Sequence, residues 1–285
     1  MKRKHKYFFV AALFTAACII WWEVIRAERS TLIFWALNIG QGDALFIETP
    51  SKNQVLIDAG PSGKNILGEL GDVMPFYDKS IDLAVLTHPH LDHVGGFPAV
   101  LKSYRLNAFA GSGDPDTLAE YKETQNILEE KAIPFYTARR GQKIILDRNV
   151  WLEILHPMEL VESKNIHRNM VVVMLHAGEK KFLLMGDAEG AEEVFLVEHD
   201  RDKLKSDILK AGHHGSKTSS RGFFLERVKP QYAVISAGRK NKYGHPHEET
   251  LQNLQKIGTT IFRTDLDGRI KIETDGRELK VSASR

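Results

Sequence analysis

Hydrophobic positions along this chain fall into two kinds of run. Some alternate, or continue unbroken for a few residues, as strands do. Others recur every three or four positions, as on one face of a helix. Residues 31–37 are of the first kind, as are 44–48 and 54–57, which read as a hairpin around Pro50-Ser51-Lys52-Asn53. Residues 62–70 follow as a short helix, 81–86 as a buried strand, 96–103 as a helix and 106–110 as a strand. Asp116 is expected to cap a helix reaching about residue 131, with Leu118, Tyr121, Ile127 and Leu128 on its apolar side. Strands are expected at 133–137, 143–146, 150–155, 170–175 and 181–185, and a helix at 188–199. The rest reads as strand 208–211, helix 220–228, strand 232–236, helix 248–257 and three strands near 260–264, 269–273 and 278–281. Two runs of mixed strands, each interleaved with helices, predict an α/β fold with two sheets face to face and helices outside. Loops at the strand ends would then gather along one edge.

Residues 7–22 break the pattern. They form an uncharged apolar run after the basic Met1-Lys2-Arg3-Lys4-His5-Lys6, closed by Glu23. A membrane span needs about 20 residues and a signal-peptide core about 7–15, so the run lies between. Trp21 and Trp22 suit a membrane interface. We expect residues 1–30 to be a basic N-terminus plus a signal-anchor helix. Residues 31–285 would be one domain outside the cytoplasm, tethered by a single pass. Cleavage after Ala27, giving a secreted protein, and lipidation at Cys18 are the alternatives, although Thr15 stands where a lipoprotein box usually has Leu.

Composition adds little. The 285 residues carry a formal net charge of +2, which permits an anionic substrate without requiring one. Cys18 is the sole cysteine, so an intramolecular disulfide and a thiolate zinc site are both excluded.

The chemistry concentrates in Thr87-His88-Pro89-His90-Leu91-Asp92-His93-Val94-Gly95-Gly96, directly after the strand at 81–86. Imidazole nitrogen and carboxylate oxygen suit zinc or manganese. His88 and His90 can face one way from an extended segment, while Asp92 and His93 lie past a turn, a spacing that fits two metals better than one. A dinuclear site needs a bridging carboxylate and more histidines. Asp187, in Gly186-Asp187 at a strand end, is either that bridge or the cap of the helix at 188–199. Gly212-His213-His214-Gly215 follows another strand, and a glycine-bracketed histidine pair is unusual in a core.

With these blocks in hand, the chain resembles the metallo-β-lactamase superfamily, and within it the hydrolase domain of ComEC-type competence proteins. The blocks are Asn38-Ile39-Gly40-Gln41-Gly42-Asp43, the segments 87–96 and 183–187, Leu209 with the following residues to Thr218, the segment 241–247, and Arg263-Thr264-Asp265, in order. The resemblance covers about residues 31–274 and implies an αββα sandwich with a dinuclear site at its edge. It implies that His88 and His90 hold the first metal with a third histidine, that Asp92, His93 and His213 hold the second, and that Asp187 bridges. His167 is the expected third ligand, with His156 as the rival. Asp58 would orient the metal loop from behind, and His214 would support His213 or the substrate. Asp92 would accept a proton, His245 would donate one to a leaving oxygen or contact phosphate, and Ser216 and Lys217 would meet an anionic substrate. The implied activity is metal-dependent phosphodiester hydrolysis, a DNA nuclease linked to DNA uptake and working beside a channel or on its own. The alternatives are a phosphodiesterase acting on choline-phosphate or teichoic-acid substituents, and a non-catalytic DNA-binding module. Lys102-Ser103-Tyr104-Arg105 and Arg139-Arg140 are the candidate DNA-contacting stripes.

Overall fold

A computed structural model describes residues 2–28, 31–160 and 169–285. The first helix, α1 (Lys2–Glu28), contains the apolar run, whose side chains are exposed; Phe8 and Trp22 are examples. Among the described residues no helix is long and apolar enough to cross a membrane.

The chain then lays down β1 (Leu32–Ala36), β2 (Leu45–Glu48), β3 (Gln54–Ile57), α2 (Gly63–Val73), β4 (Ser80–Leu86), α3 (Leu91–Val94), α4 (Phe97–Ser103), β5 (Arg105–Gly111), α5 (Ala119–Glu130) and β6 (Phe135–Thr137). A second run follows: β7 (Lys143–Asp147), β8 (Val150–His156), β9 (Val172–Ala177), β10 (Lys180–Leu184), α6 (Gly190–Asp200), β11 (Ile208–Lys210), α7 (Gly222–Val228), β12 (Tyr232–Ile235), α8 (Glu248–Lys256) and β13 (Thr260–Arg263). After α9 (Thr264–Asp267), the strands β14 (Ile270–Thr274) and β15 (Leu279–Ala283) return to the first sheet. Its order is β15-β14-β1-β2-β3-β4-β5-β6, and that of the second is β13-β12-β11-β10-β9-β8-β7.

The strands read as nearly unbroken apolar runs because both faces of each sheet are covered. In β1 the inner face is Leu32, Phe34 and Ala36, which meet Phe182, Leu152 and Val173 of the second sheet in one cluster. Trp35 and Phe46 face outward, into a cluster with residues of α2, α4 and α5. The outer face of the second sheet packs on α6, α7 and α8 through Leu196, Phe224, Leu225 and Leu254. Four layers result, as the strand and helix pattern predicts. Phe34 and Phe182 meet at the middle with ring centroids 5.3 Å apart. We expect Phe182→Ala to destabilise the fold by about 3–5 kcal/mol, measured by urea unfolding, because the layers on both sides prevent collapse into the cavity.

One local expectation fails. α5 starts at Ala119 with Leu118, not Asp116, in the cap position. The Asp116 carboxylate instead accepts the Leu118 N–H at 2.7 Å, a local turn that competes with helix formation. Parts of the candidate DNA stripes are engaged within the fold, while Lys102, Ser103 and Arg105 stay exposed. Tyr104 is buried, Lys102 pairs with Glu123, and Arg140 makes a two-pronged pair with Asp200.

β3 and β4 run parallel, as do β10, β11 and β12. The loops leaving their C-terminal ends carry Asp58, residues 87–93, Asp187, residues 212–215 and residues 236–247. That edge is where open α/β sheets leave room for ligands.

Candidate metal centre

The histidine loop is held from below by Asp58. Its carboxylate accepts the Thr87 N–H at 2.8 Å, the Thr87 hydroxyl at 2.7 Å and the His93 Nδ1–H at 2.7 Å. The imidazole of His93 is therefore locked with Nε2 facing forward. His88 Nε2 lies 2.8 Å from His90 Nδ1, so those two rings converge as the alternating spacing predicts.

The helix-cap reading of Asp187 is removed by the structure. α6 begins at Gly190, and the Glu192 carboxylate accepts the Glu189 N–H at 3.0 Å, so the cap lies two residues beyond Asp187. Asp187 is buried, and its two oxygens face different groups. Oδ1 is 3.2 Å from His93 Nε2 and 3.3 Å from His214 Nε2. Oδ2 is 3.8 Å from both His88 Nε2 and His213 Nε2.

The adjacent histidines exchange their expected places. His214, not His213, joins Asp92, His93 and Asp187; its Nε2 is 3.2 Å from Asp92 Oδ2. His213 turns its Nδ1 to Glu189 at 2.6 Å and stays partly exposed on the cleft wall. Both residues have positive φ, 44° and 53°, so the turn throws the neighbouring rings to different sides. Spacing alone does not reveal this.

The donors suit a cation. Asp92, His93, Asp187 and His214 offer ligand atoms within 4.8 Å of one another, as do His88, His90 and Asp187. His93 Nε2 and Asp187 Oδ1 are buried without a hydrogen-bond partner of regular geometry, which is costly unless something else satisfies them. All donors are imidazole or carboxylate, the set zinc and manganese share. Burial opposes charge on Asp92, His93, Asp187 and His214, yet opposite charges win. Asp187 and Asp58 hold His93 well above the usual histidine range. Asp187 and Asp43 raise His214 to about 9. His214 and His93 keep Asp187 well below the carboxylate range. Burial dominates at Asp58 and pushes it up.

A cleft of about 320 Å³ opens over these groups, lined by Gln41, His90, Leu91, Asp92, Asp187, His213, His214, Tyr243 and His245. Burial, together with His213, His214 and His247, pushes His245 down to about 4. At neutral pH it therefore offers a hydrogen bond rather than a spare proton, which narrows the donor role expected of it. Ser216 and Lys217 are not part of the lining. The Ser216 hydroxyl bonds Thr218 at 2.7 Å inside the loop, and Lys217 is exposed beyond it. His156 belongs to neither donor group: its Nδ1–H goes to the Met170 carbonyl at 2.7 Å and its ring meets Phe195 edge-on. His167 lies outside the described residues. A larger cleft, about 780 Å³, lies at the edges of β6 and β7 among Phe135, Ile144 and Leu146, and holds none of these donor groups.

The family description "Metallo-beta-lactamase superfamily" matches residues 37–239. The chain belongs to that superfamily. It is 30% identical over 262 residues to ComE operon protein 3 of Bacillus subtilis (strain 168), covering 85% of this chain and 33% of that protein. It thus spans about a third of the relative's length, and the likeness to ComEC-type competence proteins holds over most of this chain. A shorter stretch of 69 residues, 24% of this chain and 25% of the other, is 33% identical to Exodeoxyribonuclease WalJ of Streptococcus pneumoniae serotype 2. Among solved structures, the metallo-β-lactamase fold protein YhfI of Bacillus subtilis is similar at a TM-score of 0.57 and 12% identity, covering 81% of this chain and 95% of that one. That likeness concerns the fold alone. Membership makes metal-dependent hydrolysis the superfamily chemistry into which Asp187 and its histidines fit. Sequence reading missed Asp43, Glu189 and Lys210, although a lysine within the apolar strand run Ile208-Leu209-Lys210-Ala211 was a visible signal.

Proposed function

We propose that this protein is a two-metal phosphodiesterase acting on DNA, tethered outside the cytoplasm and working with DNA uptake. One observation carries the reading: the oxygens of Asp187 face two separate donor groups, as a carboxylate shared by two cations must. Divalent zinc or manganese ions there would supply Lewis acidity toward a phosphoryl oxygen and a more acidic water. The chain supplies the rest. Asp58 and Thr87 fix the histidine loop, and Asp92 lines the cleft as an ionised proton acceptor, kept so by His214 and His93 against the effect of burial. His213, backed by Glu189, and His245 present ring nitrogens for phosphate oxygens. The competence relative and the exodeoxyribonuclease support DNA as substrate. A choline-phosphate substrate is disfavoured by Lys242, whose ammonium lies 5.2 Å over the Tyr243 ring and occupies the aromatic surface a quaternary ammonium would seek. The exposed apolar residues 7–22 of α1 are the segment that would meet the membrane, with a DNA-uptake channel as the neighbour served.

The test uses the full-length protein in detergent, loaded with manganese or zinc. The substrates are single-stranded DNA, duplex DNA, bis-p-nitrophenyl phosphate and p-nitrophenyl phosphorylcholine. We expect cleavage of DNA and of the diester. Turnover of the choline ester alone would shift the substrate class. No turnover at all, with DNA binding unchanged in Asp187→Ala, would replace the enzyme reading with a binding module.

A further inference from the structure

We propose that Asp43 and Lys210 form a positioning pair that sets the ring of His214, and through it one half of the metal-holding group; the proposal rests on the metal reading above. Lys210 is 0% exposed, and a buried ammonium needs strong partners. Its Nζ reaches from β11 of the second sheet to Asp43, in the loop between β1 and β2 of the first, and donates to Oδ2 at 2.7 Å. A second bond goes to the Ala211 carbonyl at 3.0 Å.

The other oxygen of Asp43 has no hydrogen bond of regular geometry; it sits 3.3 Å from His214 Nδ1. The Ser236 carbonyl is 3.1 Å from the same nitrogen. Both neighbours are acceptors, so Nδ1 carries the proton and Nε2 is turned toward Asp92 and Asp187. The ammonium pins one oxygen of Asp43, which leaves the other in a fixed place behind the imidazole.

The backbone of Asp43 serves the same corner. Its N–H donates to the Asp92 carbonyl at 3.1 Å, and its own carbonyl accepts the Gly60 N–H at 2.8 Å. A Cβ on Gly42, where φ is +128°, would lie 2.2 Å from the Asp92 carbonyl oxygen, so only glycine lets the loop come this close. One residue therefore joins the loops of Asp58 and Asp92 to the strand end that presents His214. On the opposite side, Asp58 backs the His93 Nδ1 with the oxygen that also accepts the Thr87 hydroxyl, while its other oxygen accepts the Thr87 N–H.

Asp43→Asn alone would strand the buried ammonium and threaten folding, so the test uses the full-length Asp43→Asn/Lys210→Met protein, with Asp43→Glu as a second variant that keeps the ion pair but moves the oxygen. Zinc affinity is measured by chelator competition, and the His214 ring by nitrogen NMR of the metal-free protein. We expect the double variant to melt cooperatively and keep one tight zinc. Its second zinc should bind about 10–100-fold more weakly, and the His214 Nδ1–H resonance should move upfield as its charged acceptor is lost. Asp43→Glu should weaken the same zinc. Wild-type affinity for both ions with an unchanged ring signal, in either variant, overturns the proposal and leaves the pair a plain clamp between sheets. If the wild-type chain takes up no zinc, the metal reading fails, and the ring signal still decides whether Asp43 positions His214.

Discussion

Asp187→Asn should abolish hydrolysis while leaving the protein folded. The side chain keeps its volume in a fully enclosed position, so the layers around it have no cavity to absorb. What it loses is the negative charge that faces His93, His214, His88 and His213 at once. Metal centres contribute several kcal/mol of transition-state charge stabilisation. At about 1.36 kcal/mol per decade, losing that shared ligand lowers turnover on the order of 10³-fold or more. Steady-state cleavage of bis-p-nitrophenyl phosphate, with circular dichroism as the folding control, measures it. A folded variant with near-normal turnover would remove Asp187 from the chemistry.

Metal uptake should depend steeply on pH, with a sign that the buried histidines dictate. His214 is raised to about 9 and His93 also lies well above 6.5, so the metal-free site holds protons at neutral pH. A metal binds Nε2 only after displacing them, so apparent affinity should climb at least tenfold per pH unit from about 6 to about 9 and then level off. Stability of the metal-free protein runs the other way. The His214 value is raised above its unfolded 6.5, so its contribution is complete below pH 6.5 and is lost as pH rises through about 9. At about 1.36 kcal/mol per unit, that contribution is on the order of 3 kcal/mol. Asp187, held low, adds stability above its unfolded value near 3.8 that disappears as pH falls through its folded value. Melting temperatures in chelator should therefore drop between pH 6.5 and 9, while those of the metal-loaded protein should not. A flat metal-free profile would mean that these imidazoles are neutral.

Much of the architecture was readable from periodicity, because strands covered on both faces leave runs such as residues 81–86 that need little context. Return of β14 and β15 to the first sheet was not, since the pairing of Ala36 with Ile270 is set by tertiary packing. The site shows the same division. The His88-to-His93 stretch and the acid at Gly186-Asp187 are local patterns and stand out. Which of His213 and His214 faces Asp187 Oδ1 depends on two left-handed residues in one turn, and single-residue spacing carries no such information. Asp43 and Lys210 are 167 positions apart, so their pairing becomes visible only once the two sheets are stacked. At Asp187 the opposite holds: the local sequence allows a helix cap, and only the start of α6 at Gly190 excludes it.

The most direct test of the two-metal account is the metal content of the full-length protein. The protein is stripped with chelator, reloaded with zinc or manganese at pH 8, dialysed and measured by elemental analysis. The account predicts two ions per chain, falling below two in Asp187→Asn. No bound ion in the folded wild-type protein would contradict it.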